Sequence, residues 1–376
     1  PQTPNPKPQT PNPKPQCMES RNIAAVARSV KPAQWMGIPI GGKPKIKSQR
    51  SIEVGVKPED EKTSMTGTEG ESRDLTPEKE KYPQHIDSML EAGKEVLDSA
   101  KAMGSIKYDP HELKEFQLLP TLGPYLYREG STYKGQMLDG KRHGKGIQIF
   151  PDGSMYEGLW KHNLANGQGR LILASGDHYE GNWKDGVAEG HGIFQAKGGV
   201  RYVGNWHNDK ESGEGKEIYP DGSFFQGTFH KGSRHGKGHC SWADGSKLDC
   251  EFANGEAVGI GKYQYPDGRI YEGQFKHGQY NGKGKITYPD GRVFEGDFKD
   301  GKREGYGEFL FSDGTTFKGS FVGGDPHGEG VYYTADLKSQ KGNWSEGQFQ
   351  NWVNEEGLPI IPGSEGAPPN PDLKFN

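Results

Sequence analysis

Residues 271–292 read YEGQFKHGQYNGKGKITYPDGR, in which large apolar residues and glycines alternate with polar residues. In two extended strands, one face would hold Tyr271, Gly273, Phe275, Gly282, Gly284, Ile286 and Tyr288. This period of two predicts a β-hairpin, because a helix would need apolar residues at spacings of three and four. We expect residues 277–281 to form the turn and residues 289–291 to turn into the next hairpin, where glycine supplies a positive φ.

The same pattern recurs every 23 residues from Tyr133 to Gln340, without insertion or deletion. We count positions within each unit from zero, starting at Tyr133. Position 2 is glycine in nearly every unit, and positions 11 and 13 are glycine in all nine complete units. Such a fixed period marks a repeat architecture. Large, mostly aromatic residues at positions 0 and 4 define a predicted aromatic face: Tyr133, Tyr156, Trp160, Tyr179, Trp183, Tyr202, Trp206, Phe225, Phe229, Phe252, Tyr271, Phe275, Phe294, Phe298, Phe317, Phe321 and Trp344.

Consecutive hairpins are predicted to form one elongated antiparallel sheet in an all-β repeat array. Each unit would add two strands, or about 10 Å, so nine units would extend roughly 90 Å. Glycine normally weakens a strand, and its place on the aromatic face therefore needs a reason. We expect each such glycine, which has no Cβ atom, to leave a flat slot in which a neighbouring ring can lie.

The unit resembles the MORN repeat (membrane occupation and recognition nexus), whose pattern is YEGxWxxGxxHGxG followed by an Asp-Gly turn. Residues 156–160 (YEGLW) and 143–146 (HGKG) carry the resemblance directly. Met137, Cys250 and Gln340 depart from the pattern, which makes the first, sixth and last units less regular. The recurrence is in phase throughout, so the match does not rest on a single motif.

The resemblance implies a setting. MORN arrays without an enzyme domain belong to ciliary and axonemal assemblies, including the radial spoke head, and to other cytoskeletal scaffolds. A non-enzymatic structural protein of the cytoplasm and cytoskeleton, in a cilium or flagellum axoneme, is therefore expected. Other MORN proteins are associated with phosphoinositides and the plasma membrane, so a peripheral membrane adaptor is the alternative. Its possible lipid contacts are Lys141, Arg142, Lys302 and Arg303. Membrane-surface affinity usually needs concentrated Lys and Arg, which this array lacks.

The sequence divides into four predicted segments. They are an extended or disordered arm rich in Pro, Ser and Lys (1–81), an amphipathic helical segment (82–120), the repeat array (121–352) and an irregular tail (353–376). Within the array we expect a half unit, nine full units and a degenerate last half unit. An apolar patch at residues 23–30 of the arm could instead be a docking motif that orders on a partner.

Apolar residues at helical spacing predict an amphipathic helix over residues 85–103, with Gly104 placed to end it. A shorter helical turn is expected after Pro110. Both helices would have an apolar side that needs a surface to pack on. The nearest such surface is the array itself.

Composition excludes several classes of protein. The chain has 376 residues, a net charge of −4 and a pI near 6.4, which argues against a nucleic-acid binder. Hydrophobic residues make up only 30% and the mean hydropathy is −0.93, so a thick core along the whole chain is not expected. The sequence contains neither a run of about 18 apolar residues nor a signal-peptide core, and the cytoplasm is the default compartment.

No catalytic constellation, cofactor site or metal site is predicted. His143, His235 and His327 share position 10, but single histidines one unit apart would stand roughly 10 Å from the next. We interpret them as structural turn residues. Cys240 and Cys250 are expected side by side on the aromatic face, as two thiols rather than a disulfide under reducing conditions.

The aromatic face decides the functional prediction. A single sheet has no second layer to cover it, and so long an apolar strip far exceeds the few hundred Å² that soluble monomers usually expose. Its cover could be the helix over 85–103, a second copy of the chain, or an amphipathic segment of another protein. We therefore predict a scaffold that binds partner proteins along this face, with a homodimer also open.

Overall fold

The computed structural model describes residues 94–127, 130–360 and 375. Within them the chain forms two short helices, α1 (Lys94–Met103) and α2 (Pro110–Lys114), followed by 21 strands. The strands are β1 (Thr121–Leu126), β2 (Thr132–Leu138), β3 (Lys141–Ile149), β4 (Met155–Lys161), β5 (Leu164–Ile172), β6 (His178–Lys184), β7 (Val187–Gln195), β8 (Arg201–His207), β9 (Lys210–Ile218), β10 (Phe224–His230), β11 (Ser233–Ser241), β12 (Lys247–Ala253), β13 (Glu256–Gln264), β14 (Ile270–Lys276), β15 (Gln279–Thr287), β16 (Val293–Lys299), β17 (Lys302–Leu310), β18 (Thr316–Val322), β19 (Asp325–Tyr333), β20 (Ser339–Ser345) and β21 (Gln348–Trp352).

Every strand pairs antiparallel with the next one in the chain. The pairing runs from β1–β2 through each hairpin to β20–β21, so the strands lie in one sheet in sequence order. Each repeat unit contributes two strands, as the period of 23 residues predicts. The predicted fold class, an elongated antiparallel array of consecutive hairpins, is confirmed.

The rings lie on glycine as expected. Gly273 of β14 pairs with Gly284 of β15, and a Cβ atom built on Gly284 would lie 2.6 Å from Cε2 of the Tyr271 ring. That distance is far below van der Waals contact, so only glycine fits beneath the ring. The Tyr271 hydroxyl also donates a hydrogen bond to the backbone carbonyl of Gln274 at 2.8 Å.

The turn inside each hairpin is shorter than predicted. His277 and Gly278 have φ values of 50° and 71°, and Lys276 pairs with Gln279 across them. Two central residues with positive φ make a type I′ turn, whose twist matches that of the flanking strands. The remaining residues of the predicted turn, 279–281, belong to β15.

One glycine prediction is wrong. The pairing of β14 with β15 shifts by a bulge between Gly273 and Phe275, and Gly282 has a φ of 80°. A Cβ atom on Gly282 would meet the Gln274 side chain, which lies on the face opposite Tyr271. Position 11 is therefore glycine because a bulge needs positive φ, whereas position 13 is glycine because a ring covers it.

These bulges bend the strands over the aromatic face. Arg142 and Gln148 both belong to β3, and their side chains are hydrogen bonded to each other. Six residues of straight strand would separate their Cα atoms by roughly 20 Å, more than the two side chains could span. In two adjacent units, the Tyr265 and Tyr280 hydroxyls lie 2.6 Å apart in the same way. The two ends of the strands thus approach each other above the rings.

The helical segment agrees in part with its prediction. The described helix α1 ends at Met103, and Gly104 follows with a φ of 77°. Asp109 caps α2 by accepting a hydrogen bond from the His111 amide, and Pro110 begins the helix. The predicted helical residues 85–93, the arm at 1–81 and most of the tail after residue 360 lie outside the described residues.

The two cysteines do not face each other. Cys240 pairs with Leu248 and Cys250 pairs with Gly238, because the turn is centred on Asp244. The predicted pairing was therefore out of register by two residues. Both side chains are buried and unbridged, and the Cys250 thiol donates a hydrogen bond to the Val258 carbonyl at 3.1 Å.

Candidate functional site

The rings of the aromatic face pack as a ladder within and between units, with Leu248 in place of a ring in the sixth unit. The Tyr156 ring packs edge to face against Trp160 of its own unit at 4.9 Å and against Trp183 of the next unit at 5.3 Å. The Tyr179 ring contacts Trp183 and Trp206 in the same way, at 5.1 Å each. Edge-to-face pairs stabilise by about 0.5–1.5 kcal/mol beyond their buried area. These contacts tie neighbouring hairpins together.

The structure gathers all the predicted aromatic-face residues into one cluster, but it does not leave them bare. Each is only 0–7% exposed. The prediction of an open apolar strip is wrong, because the bent strands bring the residues at positions 9, 15 and 17 over the rings. Ala165 and Ala257 at position 9, for example, are themselves fully buried.

A buried ion pair belongs to this covering layer. Arg234, at position 9, donates to the Glu217 carboxylate from Nη2 at 2.8 Å and to the Tyr219 hydroxyl at 2.6 Å. Its guanidinium also lies over the Phe225 ring, 4.7 Å from the centroid. The side chains of Arg234 and Glu217 are 3% and 4% exposed. This pair joins two neighbouring units inside the array.

Arg142, one of the possible lipid contacts, points into the protein. It is 8% exposed, and its guanidinium lies 4.5 Å from the centroid of the Trp160 ring. Nη2 donates to the Asn163 carbonyl at 3.0 Å. Lys141, next to it, is exposed.

Arg303 is engaged in a similar way. Its guanidinium lies within 6 Å of the Phe294, Phe309 and Phe321 ring centroids, and burial lowers its pKa. Lys302 is exposed. Two of the four proposed lipid contacts therefore serve the interior, because both arginines occupy position 9 of their units.

The outer face, opposite the rings, consists of positions 1, 3, 12, 14, 16 and 22. In the first two units it carries an apolar patch, and α1 packs on this patch through Val96 and Ala100. The sheet residues of this cluster are Ile147, Ile149, Met155 and Ile172. The prediction that the helix could cover the aromatic face is corrected: an amphipathic helix does bind the array, but on the other side.

Arg170 anchors the end of α1. It is 1% exposed, and Nη1 donates to the carbonyls of Ala100 at 3.3 Å and Gly104 at 3.0 Å. Nη2 forms an ion pair with Glu180 at 2.7 Å. The C-terminal carbonyls of a helix lack partners within the helix and carry partial negative charge, so a buried cation stabilises them.

Replacing Arg170 with methionine should loosen α1. The variant keeps the bulk of the side chain but leaves the Ala100 and Gly104 carbonyls without their donor. Hydrogen bonds to a charged group contribute about 1.5–3 kcal/mol, so we expect the free energy of opening α1 to fall by about 2 kcal/mol. Hydrogen exchange of the α1 amides measures this directly.

Lys262→Met is the matched control. Lys262 occupies the same position 14, and its partner Glu272 the same position 1, but both are about half exposed, at 50% and 51%. An exposed pair contributes at most about 1 kcal/mol. Equal protection of α1 in wild type and Arg170→Met would show that Arg170 does not hold the helix.

The segment after α1 also lies on the outer face. Tyr108 packs under Lys145, whose Nζ is 4.7 Å from the ring centroid, and burial raises the pKa of Tyr108 to about 12. The Gln136 amide donates to the Phe116 carbonyl at 2.8 Å and the Leu119 carbonyl at 3.0 Å. The first units are thus covered by their own N-terminal segment.

Farther along, two large apolar residues of the outer face are uncovered. Ile260 is 76% exposed and Tyr306 is 60% exposed. Both occupy position 12, the position at which Lys145 of the first unit contacts the Tyr108 ring. The outer face therefore changes from covered to open along the array.

The histidines agree with a structural interpretation where they are buried. His143 packs against Phe116 and His162, at ring distances of 5.4 Å and 4.9 Å, and burial together with His162 lowers its pKa. Among the described residues, no three His, Cys, Asp or Glu side chains are grouped to hold a metal ion. None of the helices that the structure describes is long and apolar enough to cross a membrane.

The part of the outer face on which α1 packs has a sequence signal that the prediction missed. Positions 14, 16 and 22 are all apolar in the first unit, where they are Ile147, Ile149 and Met155, whereas the sixth unit has Lys262 and Gln264 at positions 14 and 16. A comparison of the units position by position marks residues 147–155 as unusual. That comparison would have predicted the surface on which α1 packs.

Comparisons with known proteins agree with the repeat. The family model described as MORN repeat matches nine segments that together span more than half of the chain: 133–155, 156–178, 179–201, 202–224, 225–247, 251–268, 271–291, 294–316 and 317–337. No curated protein matches the chain.

Solved structures show weaker likenesses. The wild-type TCP10 domain of Danio rerio CPAP aligns with 11% identity and a TM-score of 0.32, over 58% of this chain and 96% of that one. The SAS-4 (dCPAP) TCP domain of Drosophila melanogaster, in complex with a proline-rich motif of Ana2, aligns with 13% identity and a TM-score of 0.29. It covers 42% of this chain and 86% of that one. Scores this low carry no argument about function.

Proposed function

Because this chain belongs to the MORN-repeat family, we propose that it is a non-enzymatic structural scaffold that binds other proteins. We further propose that it works in the cytoplasm within a cytoskeletal assembly, most specifically a ciliary or flagellar axoneme complex. The axonemal setting rests on the resemblance to MORN arrays that lack an enzyme domain. The repeat itself supports a scaffold, since its ring ladder stiffens a long sheet.

The observation that carries the proposal is the packing of α1 on the outer face. An amphipathic helix of ten residues lies on the outer face, with an apolar contact to the sheet and a buried arginine at its C-terminal end. The outer face of the array thus holds a helix through side-chain contacts alone. We propose that partner helices bind the outer face in the same manner.

The rings then have a different role from the predicted one. Since the aromatic face is buried, we propose that it is the spine that keeps the outer face rigid. Partner contacts fall on the uncovered later units, around Ile260 and Tyr306. Lipid binding is not proposed, because Arg142 and Arg303 point inward.

The test is affinity purification of the full-length chain from its native source, with cross-linking to locate the contacts. Partners that bind the outer face should be lost from Ile260→Asp combined with Tyr306→Asp. Both side chains are exposed, so the double variant should fold as the wild type does, and loss of partners would report on the surface alone.

Leu337→Asp is the control, because Leu337 is 81% exposed but lies in a turn with a φ of 64°. It should retain every partner. An unchanged set of partners with the double variant would overturn the proposed surface. Recovery of no cross-linked protein by the wild type would overturn the scaffold proposal itself.

A further inference from the structure

Phe375 is inserted into the array. It is 5% exposed, and its ring lies 5.2–5.3 Å from those of Phe309, Phe311 and Phe317. Arg303 Nη1 donates a hydrogen bond to the Phe375 carbonyl at 2.9 Å. The pocket thus takes an aromatic ring, and the arginine binds the backbone carbonyl of the same residue.

The pocket lies where position 9 holds a residue with a short side chain. In three other units a long side chain at position 9 contacts the residue at position 17 of the preceding unit: Arg142 lies over the Tyr127 ring, Arg234 is hydrogen bonded to Tyr219, and Tyr280 is hydrogen bonded to Tyr265. Three further units have alanine at position 9. Phe311 is at position 17, and the residue at position 9 of the next unit is Pro326. The proline side chain is too short to cover the Phe311 ring, and Phe375 packs on that ring instead.

We infer that this Phe375 pocket is a peptide-binding site, that Phe375 is its internal ligand, and that a phenylalanine in an extended segment of a partner protein exchanges with it. The inference rests on the proposed scaffold function, and it adds a second kind of partner contact. The partner needs an aromatic side chain for the ring pocket and a free backbone carbonyl for Arg303.

The internal ligand sets the threshold for exchange. A site that its own chain fills nine-tenths of the time binds an outside ligand with about one-tenth of the intrinsic affinity. Release of Phe375 from the pocket would therefore open it to a partner. Phe375 acts as an autoinhibitory plug in this scheme.

The probe is a fluorescein-labelled peptide with the sequence of residues 371–376, PDLKFN. Its binding to the full-length chain is measured by fluorescence anisotropy. Phe375→Ala should bind this peptide about tenfold more tightly than wild type does, or better, because the internal ligand is gone. The same peptide with alanine in place of phenylalanine should bind neither protein.

A variant that fills the pocket separates binding from folding. Pro326→Tyr places at position 9 the residue that Tyr280 provides in another unit, where it reaches Tyr265. Combined with Phe375→Ala, it should abolish peptide binding while keeping the thermal unfolding midpoint. Loss of binding in a folded protein cannot be assigned to unfolding.

Equal binding of the peptide by wild type and Phe375→Ala would overturn the inference, and so would equal binding of the alanine peptide. Light scattering tests the other occupant. A wild-type dimer that Phe375→Ala converts to monomers would assign the pocket to a second copy and overturn exchange with a partner. Because the peptide assay needs no partner from the cell, it can fail while the outer-face contacts survive, and the reverse also holds.

Discussion

Gly273→Ala is expected to destabilise the array by about 3 kcal/mol or more. A Cβ atom at this position would lie 2.5 Å from the Gly284 Cα and 2.6 Å from the Tyr271 hydroxyl oxygen. The first of these atoms is backbone in the paired strand, so relief requires β14 and β15 to separate. Overpacking of a tight interior costs about 1–3 kcal/mol and occasionally more, and here the ring ladder is disturbed as well. Denaturant unfolding measures the loss.

The control is Gly198→Ala. Gly198 has no atom within 4 Å of a built Cβ and does not have a positive φ. Alanine there should be neutral or stabilising by up to about 1 kcal/mol, because it restricts the unfolded chain. If the two variants unfold at the same denaturant concentration, the close packing of rings on glycine is not what holds the hairpins together.

Arg234→Met should cost about 3–5 kcal/mol, the usual effect of removing one partner from a buried ion pair. The substitution leaves the Glu217 carboxylate buried without its cation and the Tyr219 hydroxyl without its donor. The loss should appear as a lower free energy of unfolding, with a greater effect on hydrogen exchange in β9–β11 than at the ends of the sheet.

The double variant Glu217→Leu with Arg234→Met tests the cause. It removes both charges and keeps apolar bulk over the Phe225 ring. Replacing a buried pair with apolar residues is often neutral, so most of the stability should return. A double variant as unstable as Arg234→Met would indicate that the arginine acts through packing rather than through its charge.

Most of the fold followed from the sequence, for a physical reason. In the unit from Tyr271 to Arg292, apolar residues and glycines alternate with polar ones, and that alternation is the same property that places rings on one face of a sheet. Phased repetition then leaves little choice other than consecutive hairpins. The ring at Tyr271 and the glycine at Gly284 could be matched in advance because one needs the space that the other leaves.

The bend of the sheet could not be predicted from the sequence. Gly282 and Gly284 look alike in the sequence, yet the first forms a bulge with positive φ and the second lies beneath a ring. Alternation alone assigned both to the aromatic face. Because a bulge bends every second strand over the rings, the aromatic face is buried, whereas the alternation alone had predicted an exposed apolar strip.

The contacts of the flanking segments also could not be predicted from the repeat pattern. Amphipathicity predicted a helix that ends at Gly104, but it cannot state which face of the sheet receives it. Phe375 joins Arg303 across a sequence separation of 72 residues, in a tail without periodicity. Contacts of this kind depend on local gaps, such as the one beside Pro326, that appear only once the sheet is built.

Hydroxyl-radical footprinting with residue-level mass spectrometry tests the central claim most directly, namely that the sheet buries its own aromatic face. Tyr156, Tyr202 and Tyr271 are 0% exposed, whereas Tyr306, on the outer face, is 60% exposed. The purified full-length chain, without partners, should show rapid oxidation of Tyr306 and strong protection of the other three. Oxidation of Tyr156, Tyr202 and Tyr271 at the rate of Tyr306 would contradict the burial of the aromatic face and support the exposed apolar strip predicted from the sequence.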